Sequence, residues 1–315
     1  MDGYGIYILY RSKLIRRDNM NKPKLIDPRE LYKNTKFKDQ EQDTPALQDD
    51  MLPEPDCGEE SYIGSEKLKY RNALITGGDS GIGRAAAIAY AREGANVAIQ
   101  YFPGEEKDVM EVKELIDKEG VKSLLLPYDL REENAATKIV EKALEAFGQL
   151  DILVLNAAQQ IAQESLSELT IKQVEDTYKV NIISMFETVK AAEKHLPVGS
   201  TIITTSSVQA FSPSPPLMDY ATTKAAVTNL TKSLAEYFAE KGIRVNGVAP
   251  GPIWTPLQMD DGQPDGAIPK FGQDALLERA GQPAELAHVY VYLASNESSY
   301  VTSQIYGITG GQPIN

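Results

Sequence analysis

The sequence predicts an α/β fold in which one parallel sheet is covered by helices on both faces. From residue 72 onward, short apolar segments alternate with longer segments whose apolar residues recur at helical spacing. A glycine-rich turn, Thr76-Gly-Gly-Asp-Ser-Gly-Ile-Gly83, separates the first apolar segment from the first helical one. Strands that are buried on both faces and joined by amphipathic helices are typical of parallel sheets. No repeat of fixed period is visible, which argues against a solenoid.

The individual elements follow from this alternation. Strands are predicted at 72–76, 95–101, 123–127, 151–155, 200–205, 243–249 and 304–309. Helices are predicted at 83–93, 105–119, 132–147, 170–196, about 217–240 and 283–294. About seven strands would then form a single doubly wound sheet of the Rossmann type in a domain spanning 71–315.

Two segments fall outside this pattern. Residues 1–70 are rich in charged residues, Pro and Gln, and we expect an irregular arm without a core of its own. Because Met20 resembles a natural start, residues 1–19 are interpreted as a disordered tail or an upstream start-site artefact. Residues 256–282 form a long loop rich in Gly and Pro, which predicts a lid over a substrate.

Composition narrows the possible functions. The chain has 315 residues, and its 42% hydrophobic content is normal for a globular protein. A net charge of −13 argues against nucleic acid as a partner, because such binding needs a basic surface. The single cysteine, Cys57, indicates a reducing compartment, and no apolar run is long enough to span a membrane. We therefore expect a cytoplasmic protein.

The glycine turn predicts a dinucleotide site. Glycines after a first strand let the backbone approach a pyrophosphate, which the following helix N-terminus stabilises. Here the spacing is Gly-x-x-x-Gly-x-Gly, through Gly77, Gly81 and Gly83, and it matches the general Gly-x-Gly-x-x-Gly fingerprint only loosely.

Tyr220-Ala-Thr-Thr-Lys224 and Ser207 predict an acid/base site. Residues four apart on a helix share one face, so Tyr220 and Lys224 can converge on one reacting group. A nearby ammonium lowers the pKa of a phenol, and Ser207 can hold a carbonyl oxygen beside it. Ser206 would point the opposite way along an extended strand.

With these motifs, residues 70–311 resemble the short-chain dehydrogenase/reductase family. Further segments that carry the resemblance are Asn156-Ala-Ala158, Val180-Asn181, Pro250-Gly251-Pro-Ile-Trp-Thr255 and Thr309-Gly-Gly311. The arm with Pro55-Asp-Cys-Gly58 is similar to a bacterial branch of stress-associated oxidoreductases described as aldehyde- or glucose-dehydrogenase-like. The chain departs from the family pattern at Ala158-Gln159, where Ala-Gly is usual, and at Thr309, where Asp is usual.

The resemblance implies an oxidoreductase that interconverts a carbonyl compound and its alcohol. Tyr220 would exchange the proton, Ser207 would orient the substrate oxygen, Lys224 would hold the nicotinamide ribose and lower the pKa of Tyr220, and Asn181 would hold a relay water. It implies a cofactor site formed by Gly77, Ser80, Gly81, Ile82, Gly83, Tyr101, Asp129, Asn156, Ala157, Ala158, Tyr220, Lys224, Pro250, Gly251, Ile253 and Thr255. It also implies a homotetramer built on helices four and five and the last strand.

The choice between NAD and NADP rests on the end of strand two. Phe102 and Ser80 stand at positions where NADP-specific members of the family carry a basic residue. Asp79 and Glu105–Glu106 would repel an added phosphate, which favours NAD weakly over NADP. Asp129 is expected either to bind adenine or to cap the next helix.

Candidate substrate residues are Gln159, Gln209 and Trp254, and their mixture indicates a small polar carbonyl compound or a sugar. His195 and His288 are isolated, and no metal site is predicted. Three other functions are open: a non-catalytic NAD(P)-binding sensor, a sugar-nucleotide epimerase or dehydratase, and a hydrolase using Ser207 with Lys224. No Gly-x-Ser-x-Gly elbow surrounds Ser207, which argues against the last.

Overall fold

The computed structural model describes residues 25–32 and 37–314. Seven parallel strands form one sheet in the described part of the chain, in the order β3-β2-β1-β4-β5-β6-β7. They are β1 (Asn72–Thr76), β2 (Asn96–Tyr101), β3 (Ser123–Pro127), β4 (Ile152–Leu155), β5 (Thr201–Thr205), β6 (Arg244–Pro250) and β7 (Ile305–Ile308). The predicted doubly wound sheet is confirmed. Strand order reverses between β1 and β4, which is where such sheets open a crevice for ligands.

Helices cover both faces of the sheet. They are α1 (Gly81–Arg92), α2 (Glu106–Lys118), α3 (Ala135–Phe147), α4 (Ile171–Tyr178), α5 (Ser184–Ala192), α6 (Met218–Ala239) and α7 (Ala284–Ala294). Helices α1, α2 and α7 form one apolar layer, and α3, α5 and α6 form the other. Alternate strand residues supply the two layers: Ile75 belongs to the first and Leu74 to the second.

The predicted helix 170–196 is interrupted. Between α4 and α5 lies a π-helical turn, Lys179–Ile183, with Asn181 at its centre. Single π-helical turns occur often at functional sites. Within the described residues, none of the helices combines the length and apolar composition that crossing a bilayer requires.

Of the arm predicted at residues 1–70, the part 37–70 is called the arm from here on. It contains no helix or strand, yet several of its side chains are buried. Met51, Cys57 and Leu68 are at most 1% exposed. Phe37 stacks on Trp254 with ring centroids 3.8 Å apart. The Trp254 indole N–H donates to the carbonyl of Pro53 at 2.7 Å. The arm thus has no core of its own but contributes to the core of the domain.

Residues 25–32 form a separate short unit. It contains a turn in which the Arg29 guanidinium contacts the Asp27 carboxylate at 2.6 Å. The interpretation of residues 1–19 as a tail or start-site artefact lies outside the described residues.

Candidate active site

A cavity of about 600 Å³ opens at the carboxyl ends of β1, β4, β5 and β6. Its walls include the glycine turn, the strand ends, part of α6, residues 44–46 of the arm and much of segment 256–282. Whether that segment moves as a lid stays a prediction.

The glycine turn has the shape that a pyrophosphate requires. Gly77 and Gly81 have φ angles of +61° and +50°. A Cβ at Gly83 would lie 1.8 Å from the Gly77 carbonyl oxygen, and one at Gly81 would lie 2.8 Å from a methyl carbon of Thr255. Side chains are therefore excluded at Gly81 and Gly83, and Ser80, Gly81 and Ile82, where α1 begins, line the cavity. These residues fit the diphosphate of a dinucleotide.

Most of the predicted cofactor residues line this cavity. They are Gly77, Ser80, Gly81, Ile82, Asp129, Asn156, Ala157, Ala158, Tyr220, Lys224, Pro250, Gly251, Ile253 and Thr255. Gly83 does not line the cavity; its lack of a side chain lets α1 approach Gly77. Asn156 supports the turn by donating to the Gly77 carbonyl at 2.9 Å.

Tyr101 is another exception. It is 6% exposed and does not line the cavity, whereas its neighbours Gln100 and Phe102 do. Alternate residues near a strand end face opposite sides, so Gln100 and Phe102 share the cavity side, and a cofactor contact of Tyr101 stays a prediction.

The arm supplies a contact that the sequence did not predict. The Gln48 side-chain carbonyl accepts from the Gly81 N–H at 2.8 Å, at the start of α1. Gln48 is itself fixed by its backbone N–H, which donates to Asp108 at 2.6 Å. Gln48 lies 33 positions before Gly81, and no local pattern in the sequence signals that they meet.

Ser207, Tyr220 and Lys224 lie together at the cavity, each at most 6% exposed. Ser207 follows β5, while Tyr220 and Lys224 lie one turn apart on α6. The Lys224 ammonium nitrogen is 5.3 Å from the centre of the Tyr220 ring. It donates to the Thr205 carbonyl at 2.8 Å. The Ser206 hydroxyl instead contacts the Lys224 carbonyl oxygen at 3.0 Å, which supports the choice of Ser207.

Burial dominates the proton affinities of this pair. It raises the pKa of Tyr220 to about 12, although a hydrogen bond with Ser207 acts in the opposite direction. Burial also lowers the pKa of Lys224 to about 7. Lys224 is not among the groups that shift the pKa of Tyr220 here, and its expected role in lowering that pKa stays a prediction. Desolvation of the phenolate prevails, and the amine gives up part of its own charge.

Asn181 is fully buried and does not line the cavity. Its side-chain oxygen accepts from the Gln159 N–H at 2.7 Å. Its side-chain nitrogen donates to the Gln159 carbonyl and to the Thr223 hydroxyl, both at 3.0 Å. These bonds fix the loop after β4, and a relay water at Asn181 stays a prediction.

Beside Phe102, the cavity wall carries an arginine that the sequence argument overlooked. The Arg131 guanidinium lies 5.2 Å from the centre of the Phe102 ring. It also pairs with Asp129 at 2.7 Å. Arg131 follows β3, so a basic group reaches the end of β2 from a neighbouring loop.

The acidic groups there carry less charge than their number implies. Burial raises the pKa of Glu105 and, to a smaller extent, that of Asp79. Asp79 raises the pKa of Glu105 further through its charge and a hydrogen bond, and the same bond lowers the pKa of Asp79, so the pair retains a proton near neutral pH on Glu105. The repulsion on which the preference for NAD rested is thus reduced.

Of the predicted substrate residues, Gln159 and Gln209 line the cavity. Trp254 does not: it is fully buried, and its indole packs against the arm. Among residues 25–32 and 37–314, no group of three or more His, Cys, Asp or Glu side chains is placed to hold a metal.

Comparisons with known proteins agree with this geometry. Residues 77–312 match the family model described as enoyl-(acyl carrier protein) reductase. The chain is 55% identical over 297 residues to the oxidoreductase YhxD of Bacillus subtilis (strain 168), covering 93% of this chain and 99% of that one. It is 44% identical to general stress protein 39 of the same organism over 90% of this chain and 97% of the relative.

A plant relative and a solved structure carry information on the cofactor. The NADPH-dependent aldehyde reductase 1, chloroplastic, of Arabidopsis thaliana is 42% identical over 86% of this chain and 96% of the relative. A short chain dehydrogenase from Burkholderia cenocepacia J2315, solved in complex with NADP, superposes with a TM-score of 0.72 and 31% identity. That match covers 78% of this chain and 99% of the Burkholderia chain.

Proposed function

The chain belongs to the short-chain dehydrogenase/reductase family and is an NAD(P)-dependent oxidoreductase; we propose that it reduces a carbonyl compound to its alcohol, and the reverse, with NADP(H) as cofactor and Tyr220 as acid/base. One observation carries the proposal. Ser207, Tyr220 and Lys224 line the same cavity as a glycine turn shaped for a pyrophosphate. A proton donor and a hydride carrier can therefore act on one carbonyl group.

When bound in this cavity, a reduced nicotinamide would supply the hydride that the carbonyl carbon requires. Tyr220 supplies the proton: with its pKa raised to about 12, the phenol is protonated at neutral pH and can donate to the carbonyl oxygen. Ser207, whose hydroxyl bonds with Tyr220, orients that oxygen beside the phenol. The resulting phenolate accepts a hydrogen bond from Ser207 and regains its proton from solvent, and Lys224, when protonated, lies 5.3 Å from the ring centre and favours the anion.

Two observations support NADP over the NAD that the sequence favoured weakly. The Burkholderia structure contains NADP, and the Arabidopsis relative is NADPH-dependent by name. In this chain, Arg131 provides a cation beside Phe102, and the Asp79–Glu105 pair holds a proton. An added phosphate at the end of β2 therefore meets less negative charge than the sequence count implied.

Assembly and location belong to the same proposal. Phe186 on α5 and Tyr237 on α6 are more than half exposed, which supports subunit contacts through these helices in a homotetramer. The single thiol, Cys57, supports a cytoplasmic location.

The test is nicotinamide oxidation with NADPH and with NADH, over a panel of aldehydes, ketones and sugars, for the wild type and Tyr220→Phe. We expect turnover with a higher kcat/KM for NADPH, and a loss of about 10³-fold or more in Tyr220→Phe with unchanged NADPH affinity. Substantial activity in Tyr220→Phe contradicts the role of Tyr220. Binding of NADPH without turnover of any compound points instead to a non-catalytic sensor.

A further inference from the structure

Gln159 occupies the position where the family pattern has glycine, and its side chain lines the cavity. Its backbone is held on both sides by Asn181, through the Gln159 N–H at 2.7 Å and the Gln159 carbonyl at 3.0 Å. Its side-chain NH₂ donates to the hydroxyl of Thr177 at 3.3 Å. Both ends of this residue are therefore anchored.

The direction of that last hydrogen bond is set by a buried carboxylate. Thr177 is fully buried, and its hydroxyl donates to Asp219 at 2.8 Å. A carboxylate only accepts, so the single hydroxyl proton of Thr177 is used there and its oxygen must accept from Gln159. The NH₂ of Gln159 consequently faces Thr177, and its carbonyl oxygen is left for a ligand in the cavity.

Gln209, also in the cavity wall, is oriented the other way round: its side-chain oxygen, and not its NH₂, is bonded to the protein. Its side-chain oxygen accepts from the Ser214 N–H at 2.7 Å and from the Ser214 hydroxyl at 3.1 Å. Its side-chain NH₂ is therefore the group left for a ligand. Gln209 lies close to the reacting position, since its backbone N–H donates to the Ser207 hydroxyl at 3.1 Å.

We propose that Gln159, oriented through Thr177 and Asp219, and Gln209 form a subsite for a substrate hydroxyl group near the reacting carbonyl. An alcohol both donates and accepts, and it can satisfy an acceptor from Gln159 and a donor from Gln209. The substrate class is then a hydroxyaldehyde, a sugar or the corresponding polyol. This inference rests on the proposed carbonyl reduction and specifies its substrate.

A matched pair of three-carbon aldehydes tests the subsite. D-glyceraldehyde has one hydroxyl group on each of the two carbons that follow its carbonyl carbon, and propanal has none. We expect the wild type, with NADPH, to have a kcat/KM at least about tenfold higher for glyceraldehyde, because an unpaired polar site disfavours the analogue.

Thr177→Val removes the hydroxyl while keeping the shape of the side chain. We expect the glyceraldehyde-to-propanal ratio of kcat/KM to fall about tenfold, mainly through KM for glyceraldehyde, since Gln159 loses the bond that sets its orientation. Thr177→Ser should restore the ratio. Gln163→Leu is the matched control: it removes a 2.8 Å bond to Gln173 in the same network, away from the cavity lining, and should keep the ratio.

An unchanged ratio in Thr177→Val, with the melting temperature retained, overturns the subsite. If Thr177→Val does not fold, Gln159→Leu is measured instead, with the same ratio expected to fall. A wild type that reduces propanal as well as glyceraldehyde also overturns it. A wild type that reduces neither these aldehydes nor any other carbonyl compound contradicts the proposed function itself.

Discussion

The catalytic edge of the sheet and the arm border the same cavity but are held in place by different means. At the edge, Ser207, Tyr220 and Lys224 are placed by β5 and α6, whose backbone groups are bonded within regular elements. The arm, residues 37–70, has neither helix nor strand and is fixed by individual side chains. The Trp254 indole donates a hydrogen bond to the Pro53 carbonyl, and the Gln48 side-chain oxygen accepts one from the Gly81 N–H.

The end of α1 gives the arm further anchors. Arg92 donates to the carbonyls of Gly58 and Tyr62, each at 2.8 Å. The Glu93 carboxylate accepts from the Tyr62 hydroxyl at 2.6 Å and from the Lys67 N–H at 2.8 Å. The position of the arm therefore depends on a few side-chain contacts. The catalytic residues are instead held by the many backbone hydrogen bonds of β5 and α6, which offset the free energy needed to bury a polar group such as Lys224.

Trp254→Ala tests the arm side of this contrast and has the largest expected effect on stability. The change removes a fully buried side chain that stacks on Phe37, and we expect it to lower the free energy of unfolding by about 3–5 kcal/mol. Because Ile253 and Thr255 line the cavity, the Kd for NADPH should rise as well. Denaturant unfolding and NADPH titration measure the two effects.

Tyr300→Ala is the control for this change, because the Tyr300 side chain is fully exposed. It should leave both quantities unchanged. If Trp254→Ala is no less stable than Tyr300→Ala, the arm does not depend on this anchor.

Lys224→Met tests the catalytic edge of the sheet, where burial of the Lys224 amine should lower the free energy of unfolding of the wild type. The folded protein holds the pKa of Lys224 at about 7, against the usual 10.5 of a lysine, because the amine is buried. Between these values the unfolded chain binds more protons, so the stability of the wild type rises with pH. Relative to Lys224→Met, which lacks this group, the wild type should gain about 3 kcal/mol between pH 7 and 9.5.

Denaturant unfolding at a series of pH values measures this difference. Lys232→Met, an exposed lysine on the same helix, is the control and should track the wild type. A constant difference between wild type and Lys224→Met over this range would show that Lys224 is not desolvated.

The regular part of the fold could be predicted because hydrophobic spacing is local. Strand bounds agree with the structure to within one residue. Ser207, Tyr220 and Lys224, whose spacing predicts one shared site, lie together at the cavity, and their catalytic roles stay predictions. The π-helical turn at Lys179–Ile183, which interrupts the predicted helix 170–196, could not be predicted because the spacing of apolar residues does not change there.

Features that depend on distant contacts could not be predicted. Gln48 reaches Gly81 across 33 positions. The sequence predicts Trp254 as a pocket residue, since an aromatic side chain in a loop has the same local pattern whether it contacts a substrate or another part of the chain; in the structure it is buried against the arm. The weak preference for NAD is not supported by the NADP-bound neighbour, and the count of carboxylates on which it rested ignores the burial that raises the pKa values of Asp79 and Glu105.

In the proposed reaction, one cavity brings a nicotinamide hydride and the Tyr220 proton to the same carbonyl group. The most direct test uses NADPH with deuterium at the hydride position, each epimer in turn, and mass spectrometry of the alcohol formed from D-glyceraldehyde. With one epimer, the account predicts an alcohol that carries one deuterium on the former carbonyl carbon. An alcohol without deuterium from either epimer would contradict direct hydride transfer in this site.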